Sequence, residues 1–203
     1  MGAQIMSVYQ LTPPPSIGIQ QIPFATWNDG LTDDDIANII DIGDKNGVTN
    51  ATIGENSNIV DDIRNSHISW ITLNNETQFI YDKLGYISRQ LNGQFFDFDI
   101  WGFVEDLQYT VYDGNETHYT WHLDSGGMIS NSPRKLSMVL QLSDPSEYEG
   151  GDLEIFAGPE PTKIEKKKGL IVAFPSFMLH RVTPVTRGIR RTLVVWLSGP
   201  RFK

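Results

Sequence analysis

Two histidines and an aspartate in the C-terminal half of the chain have the types and spacing of metal ligands. The stretch YDGNETHYTWHLDSGG contains His118, His122 and Asp124, and His180 follows later in FPSFMLHRVTPVTRGIRRTLVVWLS. If the first stretch is a strand, alternation points His122 and Asp124 to the same face, which suits two ligands of one metal. Two histidines and a carboxylate form a facial triad, which leaves neighbouring positions open on iron(II) for a chelating cosubstrate and dioxygen.

A pair of arginines follows His180 at a distance of ten and eleven residues. Arg190 and Arg191 are expected to open a final strand, after a turn that separates this strand from His180. They must point to opposite faces, so only one of them can enter a barrel. A guanidinium inside a barrel has an evident use, because its planar fork binds a carboxylate through two hydrogen bonds.

His118 does not fit the same metal site. On an extended strand it lies about 13 Å from the position of His122. A helical zinc-protease motif is also excluded, because the segment is not helical and Tyr119 occupies the place of the required glutamate. We therefore expect His118 to be a bystander or to lie behind the ligands without binding the metal.

Composition limits the class of protein. A chain of 203 residues suits one domain, and no apolar run approaches the ~18 residues of a membrane span. The net charge of −9 disfavours nucleic acid as a partner and makes a small neutral or basic substrate easier to accommodate. The absence of cysteine excludes disulfides and thiolate metal sites and suits a cytoplasmic location. No membrane partner is expected.

The N-terminal half is predicted to supply an arm and two helices. The prolines of TPPPSIGIQQ make residues 1–23 an arm or an edge strand. LTDDDIANIIDIG is typical of a helix that Thr32 caps and Gly43 ends. A second helix in NNETQFIYDKLGYISRQLNG is expected to end at Asn92-Gly93, and both helices are expected to cover a sheet.

From Phe95 onward the pattern changes to short apolar or alternating runs that turn residues separate. The predicted strands are LQYTVY, KLSMVLQL, DLEIF, GLIVAF and TLVVWL. The C-terminal half is therefore rich in β-structure, and the candidate ligands lie on or beside its strands.

These motifs together resemble a known family. Y-x-x-x-x-x-x-Y-x-x-H-x-D is followed by E-G-G-D-L, by H-R-V-T-P-V-T-R-G-x-R, and by a tryptophan six residues later. This order is similar to that of the iron(II)/2-oxoglutarate-dependent dioxygenases, in particular the prolyl 4-hydroxylase branch and its PKHD-type hydroxylases. The resemblance covers about residues 105–200. It implies a mainly β (α+β) fold, a double-stranded β-helix or jelly-roll barrel backed by the N-terminal helices, with residues 24–203 forming a single dioxygenase domain.

The resemblance also implies roles for individual residues. The iron ligands would be His122, Asp124 and His180, and Arg190 would bind the far carboxylate of 2-oxoglutarate. The cosubstrate would also contact Tyr112 and Thr192. The expected cofactors are Fe(II), 2-oxoglutarate and O2, with ascorbate as a further cofactor.

The chain departs from the family pattern on one strand and matches it at a residue that flanks the H-x-D motif. Several relatives carry a tyrosine on the strand after the H-x-D loop, where this chain has Leu140 and Gln141. Tyr119 matches an aromatic residue that flanks the motif in the family.

Alternative functions remain open at this point. A non-catalytic cupin-like metal- or ligand-binding barrel would share the fold but would have no use for a cosubstrate arginine. A zinc hydrolase is a further possibility, although no general base is evident. The resemblance favours hydroxylation of a peptidyl substrate, with proline first, or of a small molecule, with release of succinate and carbon dioxide.

Overall fold

Two antiparallel sheets make up most of this computed structural model, which describes residues 22–51, 63–125 and 133–201. The strands of the larger sheet are β1 (Ala25–Trp27), β2 (Thr49–Asn50), β4 (His67–Ile71), β5 (Gly102–Phe103), β6 (Leu107–Asp113), β8 (Arg134–Gln141), β12 (Ile171–Pro175) and the C-terminal part of β13 (His180–Ser198). Those of the smaller sheet are β3 (Arg64–Asn65), β7 (Thr117–His122), β9 (Tyr148–Gly150), β10 (Leu153–Ile155), β11 (Thr162–Lys163) and the N-terminal part of β13. The larger sheet has the order β1-β12-β8-β13-β6-β4-β2. The predicted mainly-β jelly-roll is therefore confirmed.

Strand β13 runs through both sheets and connects them. Its first residues pair with β7, β9 and β10, and its last residues pair with β6 and β8. We expected a turn between His180 and Arg190, and this expectation is wrong. The change of direction instead comes from register shifts between residues 180 and 187, because bulges bend a strand without ending it. Gly188, at φ 76, completes this irregular stretch.

Both predicted helices are present. Helix α1 (Asp33–Lys45) begins with a capping box in which Thr32 accepts from the Asp35 N–H and the Asp35 carboxylate accepts from the Thr32 N–H. Gly43 does not end the helix as expected but lies inside it. A Cβ at this position would stand 2.5 Å from the Tyr109 ring, so the glycine permits close packing on the sheet.

Helix α2 (Gln78–Leu91) buries one face, which includes Ile80, Leu84, Ile87 and Leu91. It ends close to the predicted boundary, although a π-helical turn over Asn92–Phe96 extends it. The predicted N-terminal arm lies outside the described residues except for its last two. In the described ranges, no helix is long and apolar enough to cross a membrane.

The apolar core is divided by the larger sheet. One cluster joins the two helices to the outer face of that sheet through residues such as Ile39, Ile80, Leu84 and Leu193. A second cluster lies between the two sheets and includes Phe174, Val182 and Ile155. This packing fixes the distance between the sheets, and the candidate site lies in the space that the second cluster leaves open.

Candidate metal centre and adjoining pocket

Three candidate ligands converge where β7 ends and β13 begins. His122 is the last residue of β7 and lies directly opposite His180, the first residue of β13. Their donor atoms and those of Asp124 all lie within 4.8 Å of one another. The two Nε2 atoms stand 3.6 Å and 3.5 Å from the Asp124 carboxylate oxygens. Two imidazole nitrogens and one carboxylate at this separation fit a divalent transition metal.

The backbone orients both imidazole rings toward this centre. His122 Nδ1 lies 2.7 Å from the Thr120 carbonyl oxygen, and His180 Nδ1 lies 2.9 Å from the Met178 carbonyl oxygen. Because a carbonyl only accepts, each Nδ1 carries the proton and each Nε2 presents its lone pair to the centre. The tautomer that a metal requires is thus set by local hydrogen bonds.

Asp124 follows the end of β7 and is held by two serines. Its N–H donates to the Ser176 carbonyl oxygen at 2.9 Å. Ser137 on β8 donates to Asp124 Oδ2 at 2.7 Å and lies 2.9 Å from the Ser176 hydroxyl. We predicted that Asp124 continues the strand, but its position comes from these contacts with the larger sheet.

The charges at the centre suit metal binding. Burial and the neighbouring His180 lower the pKa of His122 to about 3, so this imidazole is neutral at neutral pH. Burial alone would raise the pKa of Asp124, but the two histidines and Ser137 hold it below its usual value. The Tyr119 ring stacks on the His122 ring with 3.4 Å between centroids. The carboxylate is therefore ionised and the imidazole is free to bind a cation.

Arg190 enters the same cavity and has no acid partner. Its side chain is 2% exposed, and none of its three guanidinium nitrogens has a hydrogen-bond partner among the described residues. Gly151 makes room for it, because a Cβ there would lie 2.8 Å from Arg190 Cδ. A buried and unpaired cation is costly, so this site fits a ligand that brings an anion such as a carboxylate.

The strand alternation at the two arginines agrees with the prediction. Arg190 lines the cavity together with Thr192. Arg191 points to the opposite face, where its Nη2 lies 3.5 Å from an Asp44 carboxylate oxygen. Tyr112 also lines the cavity, with the Arg190 guanidinium carbon 5.4 Å from its ring centre. Burial raises the pKa of Tyr112, so its hydroxyl stays protonated and can donate a hydrogen bond.

The cavity has a volume of about 530 Å³ and brings together all of the predicted site residues. The two positions that depart from the family pattern lie elsewhere: Leu140 packs on the helix side of the larger sheet, and Gln141 donates to the Glu165 carbonyl oxygen. Neither His118 nor His67 lines the cavity.

Several lining residues were not found from the sequence. Arg64, Gln108 and Trp70 come from strands that precede the H-x-D motif. Trp196 is buried, and the Arg134 guanidinium covers its ring at 3.6 Å. Trp196 is the tryptophan of the motif, but no local motif marks Arg64, Gln108 or Trp70, because they reach the cavity through strand pairing alone.

The described geometry combines a jelly-roll with three candidate metal ligands and, beside them, a cavity that the Arg190 side chain lines. Residues 107–198 match the family model of the 2OG-Fe(II) oxygenase superfamily. This segment, which is less than half of the chain, holds all three candidate ligands and Arg190 and is similar to that superfamily.

Curated relatives match about two fifths of the chain. A PKHD-type hydroxylase of Synechococcus sp. (strain CC9311) is 45% identical over 84 residues, which are 41% of this chain and 38% of that protein. A PKHD-type hydroxylase of Escherichia coli O157:H7 is 38% identical over 94 residues, which are 43% of this chain and 40% of that protein. The matched stretch therefore spans about two fifths of each relative's length.

Solved structures confirm the double-stranded β-helix fold. A prolyl-4-hydroxylase from Pseudomonas putida superposes with a TM-score of 0.72 over 87% of this chain and 93% of its own, at 19% identity. A prolyl hydroxylase from Trichoplax adhaerens, in complex with a hypoxia inducible factor peptide fragment, gives a TM-score of 0.72 over 87% and 83% of the two chains, at 18% identity. At these identities the likeness concerns the fold.

Proposed function

We propose that this protein is an Fe(II)- and 2-oxoglutarate-dependent dioxygenase that hydroxylates a peptidyl or small-molecule substrate. The observation that carries the proposal is the unpaired, buried Arg190 guanidinium in one cavity with His122, Asp124 and His180. A metal-binding barrel alone needs the three ligands but not a buried cation beside them. A cosubstrate that carries two carboxylates uses both features, one at the metal and one at the arginine.

Each residue has a definite task in this proposal. The two imidazoles and the Asp124 carboxylate would hold the metal beside the cavity. Arg190 receives the far carboxylate of 2-oxoglutarate through its planar fork. Thr192, on the same face of β13, supplies a hydroxyl donor, and Tyr112 supplies a second one.

Bound iron(II) and 2-oxoglutarate would supply the oxidative chemistry, in which O2 places one oxygen atom in the substrate C–H bond and the other in succinate, with release of carbon dioxide. The protein's contribution is binding, orientation and exclusion of water. The side chains of the cavity walls keep the reacting atoms away from bulk solvent, and no acid or base residue is required.

The substrate class follows from the relatives by analogy. The Trichoplax structure holds a peptide fragment, and several similar folds belong to prolyl hydroxylases. We therefore place peptidyl proline first and a small molecule second. Ascorbate, expected as an additional cofactor, stays a prediction.

Metal analysis combined with succinate formation tests the proposal. Protein reconstituted anaerobically with iron(II) should bind one ion per chain. On addition of O2 and 2-oxoglutarate it should form succinate slowly without a substrate and faster when a peptidyl-proline peptide is hydroxylated. A cupin-like binding barrel would bind metal but form no succinate, and a zinc hydrolase would not consume 2-oxoglutarate. Either result would contradict the proposal.

A further inference from the structure

A second buried arginine lines the same cavity. Arg64 is 8% exposed and lies on β3, directly opposite Tyr119 of β7. Its guanidinium carbon is 4.7 Å from the centre of the Tyr119 ring, and this ring stacks in turn on the imidazole of His122. The charge of Arg64 thus lies one aromatic ring away from the candidate metal centre.

The hydrogen bonds of Arg64 leave its charge uncompensated. Nε donates to the Ser66 hydroxyl at 3.0 Å, and Nη2 donates to Gln108 Oε1 at 2.8 Å. Both acceptors are neutral, and Arg64 forms no ion pair with a described residue. A guanidinium carries five N–H donors, so donors remain that these two bonds do not use.

The charges of the other arginines in this region are compensated by ion pairs. Arg134, Arg181, Arg187 and Arg191 each contact a carboxylate, respectively that of Glu105, Glu154, Glu149 and Asp44. Arg64 and Arg190 are the two buried arginines among the described residues, and both lack such a partner. Both line the same cavity.

One cosubstrate accounts for only one of these charges. In the proposed function, 2-oxoglutarate places its far carboxylate on Arg190 and its other end on the metal. No charge of that molecule is then left for Arg64, which stands on a different wall of the cavity, between β7 of the smaller sheet and Gln108 of the larger sheet. A buried cation that keeps neutral partners and free donors is suited to an anionic ligand.

We infer that Arg64 binds a carboxylate of the primary substrate, so that the preferred substrate carries an anionic group close to the hydroxylated carbon. This inference rests on the proposed function and specifies its substrate class. Gln108 assists, because its Oε1 accepts from Arg64 and its amide N–H groups remain as donors for the same ligand. The net charge of −9 favoured a neutral or basic substrate, but the two buried arginines make the cavity locally positive.

Side-chain NMR of the arginines tests this inference directly. The protein is labelled with 15N and loaded with diamagnetic Zn(II), and the Nε–H signals of Arg64 and Arg190 are identified by their absence in Arg64→Lys and Arg190→Lys. Addition of 2-oxoglutarate should move the Arg190 signal. Acetate is then added as a carboxylate probe to the sample saturated with 2-oxoglutarate. The Arg64 signal should shift as the acetate concentration rises and should reach a plateau.

Two controls make the result specific. Acetamide has the shape of acetate without its charge, so it should leave the Arg64 signal in place. Arg187 is an exposed arginine that pairs with Glu149, and its signal should show no saturable response to acetate. In Arg64→Gln, any remaining acetate binding should be at least tenfold weaker, while the affinity for 2-oxoglutarate should change less than threefold.

The outcomes separate this inference from the proposed function. An Arg64 signal that does not respond to acetate would mean that Arg64 only supports Tyr119 and Gln108, and the inference would be wrong. If 2-oxoglutarate alone moves both signals to saturation, Arg64 belongs to the cosubstrate site and the inference is equally wrong. Failure of 2-oxoglutarate to move the Arg190 signal would instead contradict the proposed function, whatever acetate does at Arg64.

Discussion

Replacement of Arg190 by methionine should weaken 2-oxoglutarate binding strongly and leave the metal site intact. The methionine keeps much of the side-chain length in a position that is 2% exposed, but it removes the cation. Loss of one partner of a buried ion pair costs about 3 to 5 kcal/mol. At about 1.4 kcal/mol for each factor of ten, the dissociation constant for 2-oxoglutarate should rise at least a hundredfold.

Without ligand, the same substitution should leave the stability of the protein unchanged or increase it. The unpaired guanidinium destabilises the ligand-free fold, so Arg190→Met should unfold at the same temperature as the wild type or at a higher one. With 2-oxoglutarate at about 100 times its dissociation constant, the wild type should gain about 2.7 kcal/mol, or roughly 5 to 10 °C. The variant should gain about 1 °C under the same conditions, because its sites would be half filled.

Calorimetric titration and thermal unfolding of Arg190→Met and Arg191→Met, both with bound Mn(II), would measure these effects. Arg191 is the matched control, since it is the next residue on β13 and points to the helix side of the sheet. Equal losses of affinity in the two variants would refute the strand register. Loss of Mn(II) from Arg190→Met would refute the separation between the metal site and the anion site.

Further predictions concern the metal centre. Alanine at His122, Asp124 or His180 should abolish metal binding, measured as metal content after dialysis. The control variant His118→Gln should retain one metal ion per chain. Full metal occupancy in His180→Ala would contradict the ligand set. Ser137→Ala removes the hydroxyl that donates to Asp124 Oδ2 and should weaken metal affinity about 10- to 100-fold in a chelator competition; unchanged affinity would show that this hydrogen bond does not support the metal site. Burial lowers the pKa of His122 to about 3 in the folded protein, below its ordinary value near 6.5. Between these two pH values the unfolded chain binds more protons than the folded protein. The metal-free protein should therefore lose stability as pH falls from about 6.5 toward 3. Denaturant unfolding of His122→Asn should show a shallower decline over that range, and an identical slope would mean that His122 does not contribute.

Most of the catalytic half could be predicted from residue order. The H-x-D spacing, the later histidine and the arginine ten residues after it are all visible in the sequence, and alternation on a strand decides which of the two adjacent arginines enters the cavity. This rule correctly separated Arg190 from Arg191. Local rules failed at Gly43. Glycine often ends a helix, so we predicted a helix end there, but the helix continues to Lys45 and Gly43 packs against the Tyr109 ring on the sheet. This tertiary contact outweighs the local preference.

The expected turn before Arg190 shows a second limit. VTPVTRG contains proline and glycine, which favour a turn in an isolated segment. In the fold these residues pair with β7 and β9, so the strand continues through bulges and carries the chain from one sheet to the other. The pairing partners are distant in sequence, and no local pattern contains them.

The sequence by itself determined the candidate ligand types, their order along the chain and the face of β13 that carries Arg190. These features depend on local geometry, which a strand imposes on neighbouring residues. Only the tertiary structure decided that Arg64 joins the cavity, because β3 reaches it by pairing with β7, more than fifty residues further along the chain. Only the tertiary structure showed that Arg64 and Arg190 are buried without carboxylate partners, since burial and pairing depend on the packing of two sheets.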